Sequence, residues 1–497
     1  MKFKSSKDYQ GDEYRLLPIR FRRLPWERDR VFASSLSGQW TFLTHDELRR
    51  CIQRDRPPQQ SLDDLESVGC LERSPEQHTF APLLSQLRTR MARLTAGPAL
   101  HLFVVSLRCD HSCGYCQVSR QSPDASRFDM SEETAQLAVE RLFAWPSPTL
   151  TIEFQGGEPL LSFARVQQIV KSIVKRNGME GRELRFVIAS TLHHLDDERL
   201  EFCRKHHIQL STSLDGPAEL HNLNRPLPSR DSYERTIRAI QYARSALGHD
   251  AVSALTTLTR ATLSKPEAVI DEYVRQGFSS IFLRPLSPYG FARRTQTRSA
   301  YTIAEFNEFY KRALKYLVQL NTVGTYIEET YATLILRMLL MPQSHGYVDL
   351  RSPTGAGLGT IVYNYDGKVY PSDEARMLAA MGDDTFCMGT VFQSVEDWYS
   401  SPAMRVLLSN GVSESTPGCT DCAYLPYCGS DPIDSYARSG EPAGHRPSSA
   451  FCRRHMSLFD LLVELLDRGD SDTQRVLESW VFRQPLHEIL PHAVGAN

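Results

Sequence analysis

Residues 102–117 read LFVVSLRCDHSCGYCQ, a short apolar, β-branched run followed at once by Cys109, Cys113 and Cys116. Leu102 to Ser106 has the make-up of a buried strand. It delivers the cysteines to a loop at its carboxyl end, where parallel sheets and barrels keep their reactive groups. The spacing is C-x3-C-x2-C, three thiolates with no fourth nearby. A structural zinc site closes its tetrahedron with four ligands. Three clustered sulfurs instead suit a cubane iron–sulfur cluster that leaves one iron open to a small ligand. On this motif alone, three zinc-bound or structural cysteines stay open as the alternative. Tyr115, just before the third cysteine, is placed to shield the cluster edge from water.

The rest of the chain narrows the class. At 497 residues it exceeds one ordinary core, and two or three domains are expected. A formal net charge of −2 supplies no basic field for nucleic acid. The opening MKFKSSKDYQ lacks the apolar stretch of a secretory signal, and no run of 18 apolar residues exists, so a cytoplasmic protein without membrane contact is expected. Eleven cysteines without an export signal point to metal or catalysis rather than disulfides. Seven fall into two spaced sets; Cys51, Cys70, Cys203 and Cys387 are scattered and read as buried apolar thiols.

The organisation is α/β. Residues 1–13 are polar and expected to be mobile. Residues 14–95 form a small α+β unit: YRLLPIRFRRL, DRVFASS and QWTFLT read as strands, Thr44 to Glu47 is a capping box opening a helix through Cys51, and Ser61 and Leu83 start further helical stretches. From 97 to 320 strands alternate with amphipathic helices such as Ser131 to Trp145. Six strands, at 101–107, 149–154, 184–190, 208–213, 251–258 and 279–284, predict a partial (β/α)6 TIM-like barrel with right-handed crossovers. A helical connector, Tyr326 to Met341, lies within 321–349; a cysteine-bearing region fills 350–455 and a helical tail 456–497.

Two motifs follow predicted strands. In EFQGGEP, Gly156 and Gly157 let backbone approach a ligand closely, and Glu158 can accept from an ammonium group. In STSLDGP, the hydroxyls and Asp215 suit a ribose diol or a carboxylate; an ordinary turn capped by Asp215 is the plain alternative. Together with C-x3-C-x2-C these segments resemble the radical S-adenosylmethionine (SAM) superfamily. The resemblance implies that SAM chelates the open iron held by Cys109, Cys113 and Cys116, and that its reductive cleavage yields a 5′-deoxyadenosyl radical. It implies a site for the methionyl amine at Gly156, Gly157 and Glu158, with Gln155 lining it as in anaerobic sulfatase maturases. Ser213 and Asp215 are implied as further SAM contacts, Arg225 as partner of the methionyl carboxylate, and Leu255, Arg284 and Pro285 as flanks of the adenine.

Near the end come Cys419, Cys422, Cys428 and Cys452, spaced C-x2-C-x5-C-x23-C. Four such thiolates would also make a structural zinc site. CTDCAYLPYCGSDPIDSY followed by FC is similar to the SPASM extension of peptide-modifying radical SAM enzymes, which implies an auxiliary [4Fe–4S] cluster on these four. A proximal auxiliary cluster would need cysteines where this chain has Thr354, Ser372 and Pro432, so two clusters are expected rather than three. Its hairpin survives as Val362 to Tyr365, Asp366-Gly367, and Lys368 to Tyr370. Asp373 follows one vacated position; sulfatase maturases place their substrate base there, and a surface carboxylate is the alternative. Gly355 to Gly359 lacks the lysine and hydroxyl of a phosphate loop.

HSCGYCQVSR, EFQGGEPLL, SLDGP, YNYDGKVYPSDEARM and CTDCAYLPYC together resemble the His-Xaa-Ser system radical SAM maturases, B-type. The N-terminal unit loosely resembles the PqqD-like winged domain that takes a leader peptide as an added edge strand. These resemblances imply a ribosomally made precursor peptide as substrate, modified at an unactivated C–H bond by cross-linking or related oxidation. They also imply an external electron donor of flavodoxin or ferredoxin type, and a second maturase or small partner protein. Two other readings stand beside this one: a formylglycine-generating sulfatase maturase, and a non-catalytic, zinc-stabilised peptide-binding partner.

Overall fold

The structure, a computed structural model, describes residues 14–73, 80–294, 300–341 and 347–489. The segment 1–13, expected to be mobile, lies outside the described residues, as do 490–497 of the tail. At the N-terminal end, β1 (Arg15–Leu16) pairs with β5 (Leu71–Glu72), while β2 (Ile19–Leu24), β3 (Glu27–Ser35) and β4 (Trp40–Thr44) form an antiparallel sheet in that order. Thr44 and Glu47 close the capping box of the helix His45–Gln53. The next helices run Gln59–Ser67 and Phe80–Met91, each starting earlier than Ser61 and Leu83.

Six of the nine strands of the central sheet form its barrel-like run: β6 (Leu100–Ser106), β7 (Thr149–Gly156), β8 (Glu183–Ala189), β9 (Ile208–Ser213), β10 (Val252–Thr257) and β12 (Leu283–Arg284). They lie side by side in chain order, all parallel. Their alternation shows why. In β7, Leu150, Ile152 and Phe154 are fully buried against helices, while Thr149, Thr151, Glu153 and Gln155 are half-buried on the other face. The helix Phe163–Glu180 answers with Val166, Ile169, Val170 and Ile173 on one stripe and ends at the left-handed Gly181. Ser131 caps the helix Glu132–Leu142.

Three local expectations are corrected. The strand 279–284 is broken at Phe282: β11 (Ser280–Ile281) pairs with β13 (Glu328–Glu329), and only β12 joins β10. The connector at 326–341 therefore opens as a strand. Its helix is Thr330–Leu340, started by the Glu329 carboxylate, which accepts from Ala332 N at 2.6 Å and also from Leu283 N at 3.1 Å. The hairpin strand ends at Tyr363 rather than Tyr365, because Asn364 begins the turn: Gly367 N donates to Asn364 O at 3.0 Å, and Gly367 takes φ +83°.

That hairpin belongs to the central sheet. β14 (Thr360–Tyr363) runs parallel to β6, pairing Thr360 with Leu100, and is followed by antiparallel β15 (Lys368–Tyr370) and β16 (Gly389–Thr390). The helix Ala450–Arg468 carries Cys452 and runs straight through the boundary expected at 455. The N-terminal sheet packs on the second cysteine loop. Phe32 lies 5.4 Å from the Tyr424 ring and 6.4 Å from Tyr427, Ser34 Oγ donates to Ala423 O, and Arg22 makes a bidentate pair with Asp460. Cys51, Cys70 and Cys203 are buried as expected; Cys387 is only half-buried.

Candidate functional site

β6 ends at Ser106, and the cysteine loop is tied down before it begins. Arg108 pairs with Asp129 through two hydrogen bonds of 2.8 and 2.7 Å, Ser106 Oγ donates to the same carboxylate, and Gln121 bridges Leu107 O and Cys109 N. Cys109, Cys113 and Cys116 all face a cavity of about 530 Å³ at the carboxyl ends of the parallel strands. Burial pushes the Cys113 thiol up to about 11 and Cys109 higher still. Such thiols ionise readily only against a metal's charge.

The sulfur spacing tests what they fit. A single zinc ion at about 2.3 Å from each sulfur holds neighbouring sulfurs roughly 3.8 Å apart. Among the described residues, no three cysteine sulfurs lie within 4.8 Å of one another. The three sulfurs are too far apart to share one zinc ion and suit a larger, polynuclear group. The tighter set on this loop is Cys109, Asp110 and His111, whose ligand atoms lie within 4.8 Å of one another.

The glycines of GGEP prove to be packed against the cysteine loop itself. A Cβ on Gly156, at φ +147°, would sit 1.9 Å from Ser106 O, and one on Gly157 would sit 2.2 Å from Arg108 O. Gly157 N and Glu158 N donate to Ser106 O and Arg108 O. Gln155, Gly156 and Gly157 line the cavity. The Glu158 carboxylate does not. It is fully buried and accepts from Ser190 Oγ, Thr191 N, Thr191 Oγ1 and Leu160 N at 2.7–2.9 Å. Its hydrogen bonds clamp GGEP to the end of β8 and leave no lone pair directed at the cavity.

Asp215 is likewise placed behind the wall. It is fully buried, accepting from Tyr115 Oη at 2.7 Å and Thr257 N at 3.2 Å. Arg225 Nη1 donates to the same tyrosine oxygen at 2.8 Å. Tyr115, Arg225 and Ser213 line the cavity, as do Leu255, Arg284 and Pro285. Burial alone would lower the Arg225 guanidinium, but Tyr115, Cys113 and Asp215 raise it overall, so a fixed cation faces the cysteines. Behind the loop, His111 Nδ1 and His194 Nε2 flank Asp110 at 2.9 and 3.1 Å, and His111 Nε2 reaches Ser232 Oγ. The sequence reading passed over this network, although Asp110 and His111 stand between the first two cysteines.

Asp373 lines the cavity with its carboxylate held by Arg376 Nε at 2.7 Å. Glu153 faces it from the lumen side of β7, and burial, with the Asp373 charge, pushes the Glu153 carboxyl up to about 7. A lone charge within the alternating run TLTIEFQG was the available signal for it. Thr354 and Ser372 border the same cavity, and Ser372 caps the helix Asp373–Ala379. Glu374, Asp349, Asp431 and Asp434 also line it. Burial raises the carboxyls of Glu374, Asp349 and Asp431; acidic neighbours add to this at Glu374 and Asp431, whereas at Asp349 the Arg454 charge opposes it.

The second cysteine set converges. Cys419, Cys422, Cys428 and Cys452 line one cavity of about 40 Å³ with Arg446, Phe451 and His455. Burial and then its three partner cysteines raise the Cys428 thiol well above its ordinary value.

Residues 103–273 match the family model of the Radical SAM superfamily. An uncharacterized protein of Methanothermobacter thermautotrophicus is 29% identical over 195 residues, covering 38% of this chain and 69% of that protein. A cysteine-type anaerobic sulfatase-maturating enzyme of Clostridium perfringens is 21% identical over 284 residues, 56% of this chain and 75% of the relative. Among solved structures, native anSMEcpe with bound AdoMet superposes with a TM-score of 0.61 at 17% identity, covering 76% of this chain and all of that one. SuiB of Streptococcus suis, bound to its precursor peptide SuiA, gives 0.52 at 14% identity over 87% of this chain and 98% of that one. These likenesses establish the radical SAM fold.

Proposed function

We propose that this radical SAM enzyme oxidises a ribosomally made precursor peptide at an unactivated C–H bond, joining two side chains or making a related oxidation. The observation that carries the reading is one continuous cavity of about 530 Å³, in which Cys109, Cys113 and Cys116 share walls with Asp373 and Glu153. A [4Fe–4S] cluster with SAM supplies, when bound, a 5′-deoxyadenosyl radical able to remove a hydrogen atom from carbon.

The chain's own residues do the rest. Cys109, Cys113 and Cys116 hold the cluster, and the GGEP backbone braces their loop. Arg225 presents a fixed positive charge to the carboxylate of SAM, and Asp215 keeps Tyr115 turned toward it. Gln155, Gly156, Gly157 and Ser213 supply polar wall for SAM, and Leu255 an apolar one. Once a hydrogen atom has been removed, closing two side chains on each other releases an electron, which a cluster held by Cys419, Cys422, Cys428 and Cys452 would accept. It also releases a proton, which needs a base beside the reacting carbon. Asp373 and Glu153 both face the cavity. Glu153, close to half-ionised near neutrality, is the better matched acceptor, while Asp373 is occupied by Arg376.

Cys419, Cys422, Cys428 and Cys452 hold a second [4Fe–4S] cluster, and no third is expected with threonine, serine and proline at 354, 372 and 432. β4, an edge strand of the N-terminal sheet among the described residues, offers a place for a leader peptide to add as a further strand. The likeness to a sulfatase-maturating enzyme favours a second reading, oxidation of a peptide cysteine or serine to formylglycine. Co-expression with short peptides drawn from the neighbouring reading frames, followed by mass spectrometry, separates them. A cross-link appears as loss of two hydrogens with two residues joined in the fragment spectrum. Formylglycine appears as an aldehyde captured by hydrazide, and an unchanged peptide contradicts both.

A further inference from the structure

Six carboxylates line the main cavity: Glu153, Asp349, Asp373, Glu374, Asp431 and Asp434. The cations are fewer. Arg225 is committed to Tyr115 and Arg120 to Ser112, which leaves Arg284, Arg438 and Arg454 on the wall, with Arg376 behind Asp373. Asp434 is neutralised by Arg438, and Asp431 spends one oxygen capping the helix Pro432–Ser439. Glu374 and Asp349 have no cation within ion-pair distance among the described residues.

A second observation points into the same place. The hydroxyl of Tyr289, a residue 1% exposed, has no hydrogen-bond partner, and its charged neighbours are Asp431, Asp434, Glu374 and Arg438. This corner holds more carboxylates than cations, and the Tyr289 oxygen has lone pairs free for a donor. A half-buried acidic cluster in that state favours the entry of a donor-rich cation.

The adjoining wall is aromatic. Phe282, Tyr331 and Tyr347 lie with centroids 5.9–6.1 Å apart and planes within 15° of parallel. The three rings are offset-stacked neighbours rather than one straight column, and all three line the cavity. Asp349 is the charged group that acts most strongly on Tyr331, with Arg454 opposing it, and so joins these rings to the carboxylates. Aromatic faces beside carboxylates hold organic cations. The spacing argues against a bare metal ion: among the described residues no three of these carboxylates bring oxygens within 4.8 Å of one another.

We propose that this corner receives a cationic side chain of the peptide substrate, a lysine or arginine, held by Glu374, Asp349, Asp431 and Tyr289 against the aromatic face. The proposal rests on the peptide-oxidising reading and names what that peptide must carry near the reacting carbon. Such a contact would position the substrate by its charge rather than by the bond that reacts.

The test uses anaerobically reconstituted enzyme with SAM and calorimetric titration of four probes: the N-acetyl, C-methylamide derivatives of arginine, lysine, citrulline and norleucine. The arginine or lysine probe should bind at least tenfold more tightly than its neutral partner. Glu374→Gln and Asp349→Asn should each cut that preference at least threefold, with wild-type preference deciding if either variant misfolds. Equal binding of charged and neutral probes, or binding of none, overturns the proposal. Mn²⁺ displacing the cationic probes by occupying these carboxylates overturns it too. Formation of 5′-deoxyadenosine in the same preparations reports separately on the radical SAM reading, so that each can fail alone.

Discussion

Glu153 illustrates how one side chain can be read physically. Its carboxyl, raised from about 4.5 toward 7 by burial and by Asp373, prefers to stay protonated in the fold. Below pH 4.5 folded and unfolded chains are both protonated there, and the group costs nothing. As pH rises to 7 the unfolded chain loses its proton first, so stability falls, and above 7 the full penalty, at most roughly 3 kcal/mol, is present. Glu153→Gln should therefore raise the urea midpoint of the apoprotein at pH 8 and leave it nearly unchanged at pH 5. An equal effect at both values would mean the carboxyl titrates normally. In turnover, the same variant should slow peptide oxidation at least tenfold while 5′-deoxyadenosine still forms, if Glu153 accepts the substrate proton. At this scale the sequence was a partial guide. It marked Glu158 and Asp215 as site residues, but spacing does not tell which way a carboxylate is spent, and both are consumed by neighbouring donors rather than turned to the cavity.

Elements carry the next level. The turn after β7 is welded to the end of β6 by Gly156 and Gly157, where a side chain has no room. Gly156→Ala should displace the cysteine loop, with a loss of order 3 kcal/mol or more. It should also cut iron bound on reconstitution by about half; normal iron content and an unchanged unfolding midpoint would contradict the packing described. In the N-terminal sheet, Phe32 in β3 packs against both Tyr424 and Tyr427. Phe32→Ala should cost about 3–5 kcal/mol and loosen the second cysteine set before the first. Iron released stepwise on warming would show that order, and a single-step loss would contradict it. The parallel strands β6 to β10 were legible because each is six or more residues long and largely apolar or alternating. The break at Phe282 was not, since it depends on β13 arriving from more than forty residues downstream.

At the scale of the whole molecule, the fold joins segments that local pattern keeps apart. Residues 350–455 read as a separate region, yet β14 pairs with β6 across some 260 positions and makes the hairpin part of the barrel sheet. No local signal encodes that pairing. The chemical motifs do gather in the fold: the three cysteines after a buried strand and the glycines one strand later line one cavity, and the four late cysteines line another. The acidic corner escaped notice because Glu374, Asp349, Asp431 and Asp434 are scattered over some 85 residues and meet only in the fold. Two cubanes correspond to about eight irons per chain, and an anaerobic iron count near twelve would refute the loss of ligands at Thr354, Ser372 and Pro432. The most direct measurement is the reductive cleavage of SAM by strictly anoxic, dithionite-reduced protein. The account predicts 5′-deoxyadenosine from the wild type and none from Cys113→Ala. No product from the wild type, or the same yield from both proteins, would contradict it.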